Sequence, residues 1–282
     1  MKETRAEYLS ISKLHPFEGH PFKVTDNEEM EQLTWSILTQ GLLTPLVVRP
    51  LPNDEYEVIS GHRRLHACKK AGIETVPALI TDMDRDAAAI ALVDSNLHRE
   101  HILPSEKAFA YKLKLEAMNR QGQRTDLTSR QVGEKLSVTQ LSESSNESER
   151  QIHRYIRLTN LLPGILEKVD EGKIALTPAV ELSYLTEDEQ KNLLETMESE
   201  DCTPSLSQAI QMKQLSQAGK LNMDTIFGIL TQPKANQREK ISFRTDEVRK
   251  FFPKNYTPAQ MQEVILKLLG EYQRKRQRAQ ER

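Results

Sequence analysis

The sequence predicts an α+β fold: a small mixed α/β N-terminal domain, an all-helical domain and a short helical C-terminal segment. The first hundred residues alternate strand-like and helix-like runs, whereas nearly everything after Pro104 shows helical periodicity. The chain has 282 residues, and at roughly 100–200 residues per domain this length suits two domains or three small ones. We place the domains at residues 1–102, 103–230 and 231–282.

The N-terminal elements are predicted from local patterns. Leu46–Val48 and Tyr56–Ile59 suit strands that flank a Pro-Asn-Asp turn. Apolar residues in EEMEQLTWSILTQ recur at helical spacing, and Gly41 is placed to end that helix. Val76–Ile80 suits a strand, and its proline favours a position at the sheet edge. The run DAAAIALVDSN predicts a helix that ends near Asn96.

In the rest of the chain, helices are expected from Pro104 to about residue 230. The polar segment at 119–131 predicts an exposed connection, and a linker is expected around residues 232–240. After it, Lys240–Phe243 suits a short strand and Pro258–Tyr272 a helix. The apolar positions of this helix would pack either against a partner chain or within the same chain. The ten residues that follow are rich in basic side chains and would either bind DNA phosphates or form a frayed end. Those apolar positions are Met261, Ile265, Leu268 and Leu269.

Composition excludes several classes of protein. No apolar run approaches the roughly 20 residues that span a bilayer, and MKETRAEYLS lacks the apolar stretch of a secretory signal. Cys68 and Cys202 have no neighbours at metal-ligand spacing, which excludes a zinc finger or a disulfide scaffold. We therefore expect a cytoplasmic protein without a membrane span.

The net charge of −2 conceals alternating charged segments. Residues 1–100 carry a net −5, residues 101–160 +3, residues 161–230 −7 and residues 231–282 +7. A modular nucleic-acid binder needs positive charge only where it meets phosphates. Solvated helices with charged faces would give the same pattern, so the charge alone leaves both interpretations open.

The segment YEVISGHRRLHACKKAG predicts a strand, a turn at Gly61 and a helix that opens with Arg63 and Arg64. Cations at a helix start oppose the helix dipole, and a bound polyphosphate would resolve that conflict. The alternative is that the arginines pair with acidic neighbours such as Glu57 or Asp82.

Residues 138–158, VTQLSESSNESERQIHRYIRL, predict a helix-turn-helix. Asn146 tolerates positive φ in the turn, and Ser148 suits the cap of the second helix. Ile152 and Ile156 share its inner face, which leaves polar residues outward. A helical hairpin with a charged face is the alternative. The candidate DNA-binding residues are Arg150, Gln151, His153, Arg154 and Arg157.

Four blocks, in order and at matching spacing, resemble the ParB/Noc family of partition proteins. They are LSISKLHPF, SILTQGLLTPLVVRP, YEVISGHRRLHACKKAGIETVPALI and SNLHREHILPSEKAFAY, within residues 9–111. The resemblance continues through the helix-turn-helix. It implies an N-terminal domain related to sulfiredoxin that binds CTP with Mg²⁺. It also implies a homodimer that binds double-stranded DNA at a palindromic site, and a ParA-type partition ATPase as partner.

The resemblance assigns site residues to matching positions. Asn96 is implied as the metal ligand and Arg99 as a phosphate ligand. Gln40, Gly41 and Thr44 lie in the block that flanks the base. The implied triphosphate cradle consists of Gly61, His62, Arg63 and Arg64.

The chain departs from the family pattern at the same site. His62 stands where the family has glutamate, and Ser95 replaces the glutamate before Asn96. Phe22-Lys23 stands near the place of a missing Pro-Arg. The lost carboxylate would have favoured Mg²⁺, so the sequence predicts nucleotide binding with slow or absent hydrolysis.

Two other functions remain as alternatives. One is a transcription or replication regulator that uses the same DNA-binding core without a CTP cycle. The other is a sulfiredoxin-like or nuclease-like enzyme. The first of these enzymes needs a cysteine where Gly61 stands, and Cys68 is interpreted as a core residue. The acidic run that a nuclease would need, Asp82, Asp84 and Asp86, is more simply a turn with a helix cap.

Overall fold

The computed structural model describes residues 4–99, 101–125, 130–232, 248–253 and 256–280. The chain divides into two compact units, Met1–Gln232 and Pro233–Arg282. The first unit contains the mixed α/β part and the main helical part, and the α+β class is confirmed. The boundary at residues 102 and 103, inside the first unit, stays a prediction.

A five-stranded mixed sheet forms the centre of the N-terminal part, with the order β1-β5-β3-β4-β2. The β1/β5 and β3/β4 pairs are antiparallel, whereas β2/β4 and β3/β5 are parallel. The strands are β1 (Thr4–Ser10), β2 (Leu14–Pro16), β3 (Leu46–Leu51), β4 (Glu55–Ser60) and β5 (Thr75–Thr81).

The expected edge position of the Val76–Ile80 strand is wrong, because β5 lies between β1 and β3. Pairing with β3 begins at Ala78, one residue after Pro77. The missing N–H of the proline therefore interrupts none of the pairs that join β5 to β3. The sequence analysis did not anticipate the two strands of residues 4–16, one of which forms the true edge beside β5.

Three helices accompany the sheet: α1 (Glu28–Gln40), α2 (His62–Lys70) and α3 (Arg85–Asn96). Asn27 caps α1 by accepting from Met30 N, and Asp84 caps α3 by accepting from Ala87 N at 2.8 Å. The cap confirms that Asp84 belongs to a turn and helix start. Cys68 is fully buried among the sheet residues, α1 and α2, as expected of a core residue.

The helical part of the first unit contains eight α-helices in the described residues. The five helices from α7 through α11 pack around one core, which consists mainly of leucine, isoleucine, valine and methionine side chains. The segment 119–131 is mostly not the expected connection, because α4 continues to Thr125 and α5 starts at Arg130. The helices are α4 (Pro104–Thr125), α5 (Arg130–Ser145), α6 (Glu149–Arg157), α7 (Pro163–Asp170), α8 (Leu176–Leu182), α9 (Glu187–Ser199), α10 (Leu206–Gln217) and α11 (Met223–Leu230).

The second unit contains α12 (Pro258–Gln280) in its described part. This helix passes the expected end at Tyr272 and includes most of the basic tail, which is therefore helical rather than frayed. Met261 is buried, whereas Leu268 and Leu269 are each 57% exposed. The expected strand at Lys240–Phe243 lies outside the described residues. Within the described ranges, none of the helices combines the length and apolarity that a bilayer crossing requires.

Candidate functional site

Gly61 forms the turn from β4 into α2. Its φ of 104° lies in the left-handed region that favours glycine. A Cβ at this position would lie 2.6 Å from Leu46 Cδ2 and 3.1 Å from Arg64 Nη2. The backbone therefore passes close to both side chains, and the turn requires glycine for its conformation and for its space.

The two arginines at the start of α2 have different partners. Arg63 Nη2 lies 2.9 Å from Glu29 Oε2, in an exposed pair. Arg64 Nη1 donates to the carbonyl oxygens of Thr44 at 2.6 Å and Pro45 at 3.0 Å. The alternative that these arginines pair with acidic residues therefore holds for Arg63, although its partner is Glu29 rather than Glu57 or Asp82. Arg64 instead brings the cradle together with the segment predicted to flank the base.

His62 faces a second histidine that sequence analysis missed. The rings of His20 and His62 lie 3.8 Å apart, and Phe17 N donates to His62 Nε2 at 3.3 Å. Burial, the nearby His20 and the charge of Arg99 lower the pKa of His62 to about 3. Burial also lowers the pKa of His20. Both imidazoles are therefore neutral near pH 7. The repeated His-Pro-Phe at 15–17 and 20–22 is the sequence signal that could have identified His20.

Arg99 and Asn96 lie at the end of α3. Arg99 Cζ is 5.6 Å from the centre of the Phe22 ring. Partial burial and, after it, the charge of Arg63 lower the pKa of Arg99, whereas the charge of Glu106 raises it. Asn96 is buried, and its Nδ2 donates to Leu92 O at 2.7 Å and Ser95 Oγ at 3.2 Å.

The other residues that the resemblance implies near the base are on one exposed segment. Gly41 ends α1 with a φ of 75°, and its N–H donates to Ile37 O at 2.9 Å. Thr44 is exposed and is held by Arg64 through its carbonyl oxygen. The structure therefore links this segment to α2 through backbone atoms and leaves the Thr44 side chain accessible.

The described residues fit Mg²⁺ poorly. No group of three His, Cys, Asp or Glu side chains suited to a metal occurs among them. Asp94, the carboxylate nearest to Asn96 along the described chain, lies 2.5 Å from Lys114 Nζ. Mg²⁺ normally takes one or two carboxylates besides phosphate oxygens and water. Here the protein offers the amide oxygen of Asn96 and the hydroxyl of Ser95.

The helix-turn-helix is formed by α5 and α6. Asn146 has a φ of 55° in the turn, and Ser148 caps α6 by accepting from Gln151 N. Leu141 and Ile152 are fully buried against Tyr111 of α4. These contacts confirm the predicted turn, cap and inner face.

The candidate DNA-binding residues differ in how they are held. Arg150 and His153 are exposed. Arg154 donates to Gln151 Oε1 at 3.0 Å and to Thr177 Oγ1 of α8 at 2.6 Å. Arg157 donates to Ser183 Oγ and O at 3.2 and 3.3 Å and stacks on Tyr184 at 3.9 Å. The two arginines are thus fixed by α8 and the residues that follow it, which periodicity could not reveal.

Comparison with known proteins establishes the family. The ParB N-terminal domain model matches residues 1–97. The probable chromosome-partitioning protein ParB of Vibrio cholerae is 30% identical over 252 residues, which cover 86% of this chain and 83% of that protein. The chain belongs to the ParB family. The nucleoid occlusion protein of Bacillus thuringiensis is 30% identical over 77% of this chain and 75% of its own length.

Solved structures of a ParB from Caulobacter crescentus, truncated at its C-terminus, are also similar to the chain. The complex with the centromeric parS site gives a TM-score of 0.41 at 20% identity, over 75% of this chain and 99% of that one. The complex with CTP-γ-S gives a TM-score of 0.32 at 23% identity, over 68% and 98%.

In this ParB-family chain, the first turn of α4 joins the segment around Lys23 to α7 and to the helix-turn-helix. Ser105 donates from its N and Oγ to Asp170 of α7, at 2.9 and 2.6 Å. Glu106 accepts from the backbone N of Lys23 at 2.7 Å, one residue after Phe22, whose ring contacts Arg99. Lys107 lies 2.9 Å from Glu147 in the helix-turn-helix turn. Lys23 Nζ also lies 3.0 Å from Asp170, which closes the network.

Proposed function

We propose that the chain is a sequence-specific DNA-binding partition protein that recognises a palindromic, centromere-like site. The observation that carries this proposal is the geometry of α6. The helix is capped at Ser148, buried on the Ile152 side and lined with polar and basic side chains on the other. A helix of this kind can enter the major groove, where its first residues meet the base edges.

The residues of α6 have different proposed roles in DNA binding. Arg150 and His153 are exposed and reach outward from the first two turns. Arg154 is oriented by Gln151 and Thr177, and an oriented guanidinium suits bidentate contact with guanine. Arg157, held by Ser183, is better suited to positioning the helix end than to reading bases.

The test begins with selection of bound duplexes from a random library, which should yield an inverted repeat. Arg154→Ala should then weaken binding to the selected duplex by about 1–3 kcal/mol, while binding to a random duplex falls much less. Arg5→Ala, which removes an exposed cation from β1, is the matched control. Equal losses on both duplexes would make Arg154 a phosphate contact only, and no duplex preference in the full chain would overturn the proposal.

For the N-terminal part we propose CTP binding in the cradle of Gly61, His62, Arg63, Arg64 and Arg99. The glycine turn opens onto the start of α2, and partial burial and the charge of Arg63 lower the pKa of Arg99. Guanidinium groups and helix-start N–H groups both bind phosphate oxygens. Thr44 and Gly41, joined to α2 through Arg64, would flank the base. Among the described residues, Asn96 is the proposed ligand of any Mg²⁺ that accompanies the nucleotide.

Calorimetric titration of CTP tests this cradle. Arg64→Ala should abolish CTP binding and leave operator binding intact, because it releases the Thr44 and Pro45 carbonyls and removes a cation. Lys69→Ala, at the exposed far end of α2, should change neither. Unchanged CTP affinity in Arg64→Ala would refute the cradle assignment.

Hydrolysis of CTP should be slow or absent. His62 and Ser95 occupy positions where the family has carboxylates, and the described residues near Asn96 offer no free replacement. Phosphate release measured with and without the selected duplex checks this expectation, and brisk turnover would contradict it. A chain that binds its site but ignores CTP would instead be a transcription or replication regulator.

We further propose that α12 joins two copies into a homodimer, as a palindromic site requires. Leu268 and Leu269 expose apolar surface on this helix. Sedimentation of the full chain should give a dimer, and Leu268→Glu should shift it toward monomer, whereas Lys267→Glu should not. A monomeric wild-type chain would contradict the proposal. We also propose that a ParA-type ATPase is a partner of the chain and that the chain is located on the nucleoid or on a plasmid.

A further inference from the structure

We propose that the cradle binds the free nucleoside triphosphate anion, with arginine side chains neutralising the phosphates in place of a divalent cation. This inference rests on the proposed CTP binding and concerns the ionic form of the ligand. It departs from the Mg²⁺ requirement that the family resemblance implies.

The first argument is that four carboxylates on the elements around the cradle are already engaged by groups outside the cradle. Each accepts a hydrogen bond or ion pair from a protein cation or backbone N–H, so that a metal would have to displace a protein partner. The pairs are Glu57 with Arg49, Asp86 with Arg120, Asp94 with Lys114, and Glu106 with the N–H groups of Lys23 and Leu103.

These engaged carboxylates are also poor candidates for rearrangement. Glu57 is 5% exposed and accepts from Arg49 Nε at 2.6 Å and from Glu18 N at 3.2 Å. Lys114 is 3% exposed, and taking Asp94 from it would leave a buried charge without its counter-ion. Recruiting either carboxylate to a metal would therefore cost an interaction that the fold depends on.

The second argument concerns the atoms beside Asn96. The Nδ2 atom of Asn96 donates to Leu92 O and Ser95 Oγ, which fixes the orientation of the amide. Ser95 Oγ itself donates to Leu92 O at 2.9 Å. The two polar side chains are thus neutral and tied to the end of α3, whereas Mg²⁺ favours charged oxygen ligands in octahedral geometry.

The third argument is that the positive charge is already present. Arg63 lies in the first turn of α2, Arg99 Cζ lies 5.6 Å from the centre of the Phe22 ring, and the charge of Arg63 lowers the pKa of Arg99. A phosphate group would replace the exposed Glu29 as the partner of Arg63 and would offset the repulsion between the two arginines. His62 and His20 add polar ring atoms without charge at neutral pH, where the family has a carboxylate that would repel phosphate. The site therefore suits an anion that has kept its full charge.

Calorimetric titration of CTP into the full chain, in EDTA and then in MgCl₂, tests the proposal. We expect the dissociation constants to differ by less than about threefold, well below the tenfold that corresponds to about 1.4 kcal/mol. Binding that weakens by tenfold or more in EDTA would overturn the inference and leave the proposed CTP binding intact. No binding under either condition would instead refute the proposed CTP binding, and this inference with it.

Two variants sharpen the result. Ser95→Glu places a carboxylate beside Asn96 at an exposed position and should make binding depend on Mg²⁺. Asp82→Asn, with no proposed role in binding, is the control for a change of charge. Glu100 lies outside the described residues, so Glu100→Gln is measured as well. The inference is wrong if the wild-type chain binds CTP more tightly with Mg²⁺ and the Glu100→Gln variant does not. That result would show that Glu100 is a carboxylate ligand of the metal.

Discussion

Replacing Gly61 by alanine should lower the free energy of unfolding by about 2–5 kcal/mol. A side chain at a φ of 104° costs about 1–2 kcal/mol in backbone strain. The new Cβ would also lie 2.6 Å from Leu46 Cδ2, and Leu46 is fully buried in the sheet core. Moving a packed core side chain costs about 1–3 kcal/mol more. The sum should appear in urea denaturation as a lower midpoint with an unchanged slope.

Gly72→Ala is the matched control for this experiment. Gly72 has a φ of 70°, but a Cβ there would meet nothing within 4 Å. Its loss should therefore be limited to the backbone cost of about 1–2 kcal/mol. If the two variants were equally stable, the close approach of Leu46 to the Gly61 turn would contribute nothing and the reasoning would fail.

Three further predictions concern the helix-turn-helix and the cradle. Leu141→Ala should lower the free energy of unfolding by about 2–5 kcal/mol, because Leu141 is fully buried beneath α6; a loss below about 0.5 kcal/mol in urea denaturation would contradict a packed motif. Ser148→Ala should cost about 1 kcal/mol by removing the α6 cap and should weaken operator binding in a filter assay, which Ser148→Asp should largely restore. The pKa of His62 falls from 6.5 to about 3 on folding, so stability is complete above pH 6.5 and declines as the pH drops toward 3. His62→Phe should make this decline shallower in thermal melts across that range, and an identical slope would show that His62 does not titrate as described.

Local signals predicted the elements whose cause is local. Asn146 and Ser148 determine the turn and the cap of the helix-turn-helix through their own conformations and hydrogen bonds, so the motif could be placed from a short stretch. Gly61 and the arginines after it likewise identified the start of α2. The strand that contains Pro77 was misplaced, because its position depends on which strands pair with it.

The contacts made between distant segments could not be predicted in the same way. Asp170 meets Ser105 across 65 positions of the chain, and no periodicity connects them. Arg64, which is proposed to bind phosphate, also donates to the Thr44 carbonyl, and this interaction depends on how the loop after α1 folds back. His20 was missed because its role appears only when its ring is seen against His62.

The three neighbouring residues Ser105, Glu106 and Lys107 have a consequence for protein engineering. Each one bonds to a different segment, and a chimera spliced near residue 103 would separate Lys23 from its partners Glu106 and Asp170. A foreign N-terminal half would have to present a backbone N–H and a cation where Lys23 has them, and a foreign helical half would have to present acceptors where Glu106 and Asp170 lie. Chimeras that preserve these contacts should be more stable than chimeras joined at the same residue that lack them.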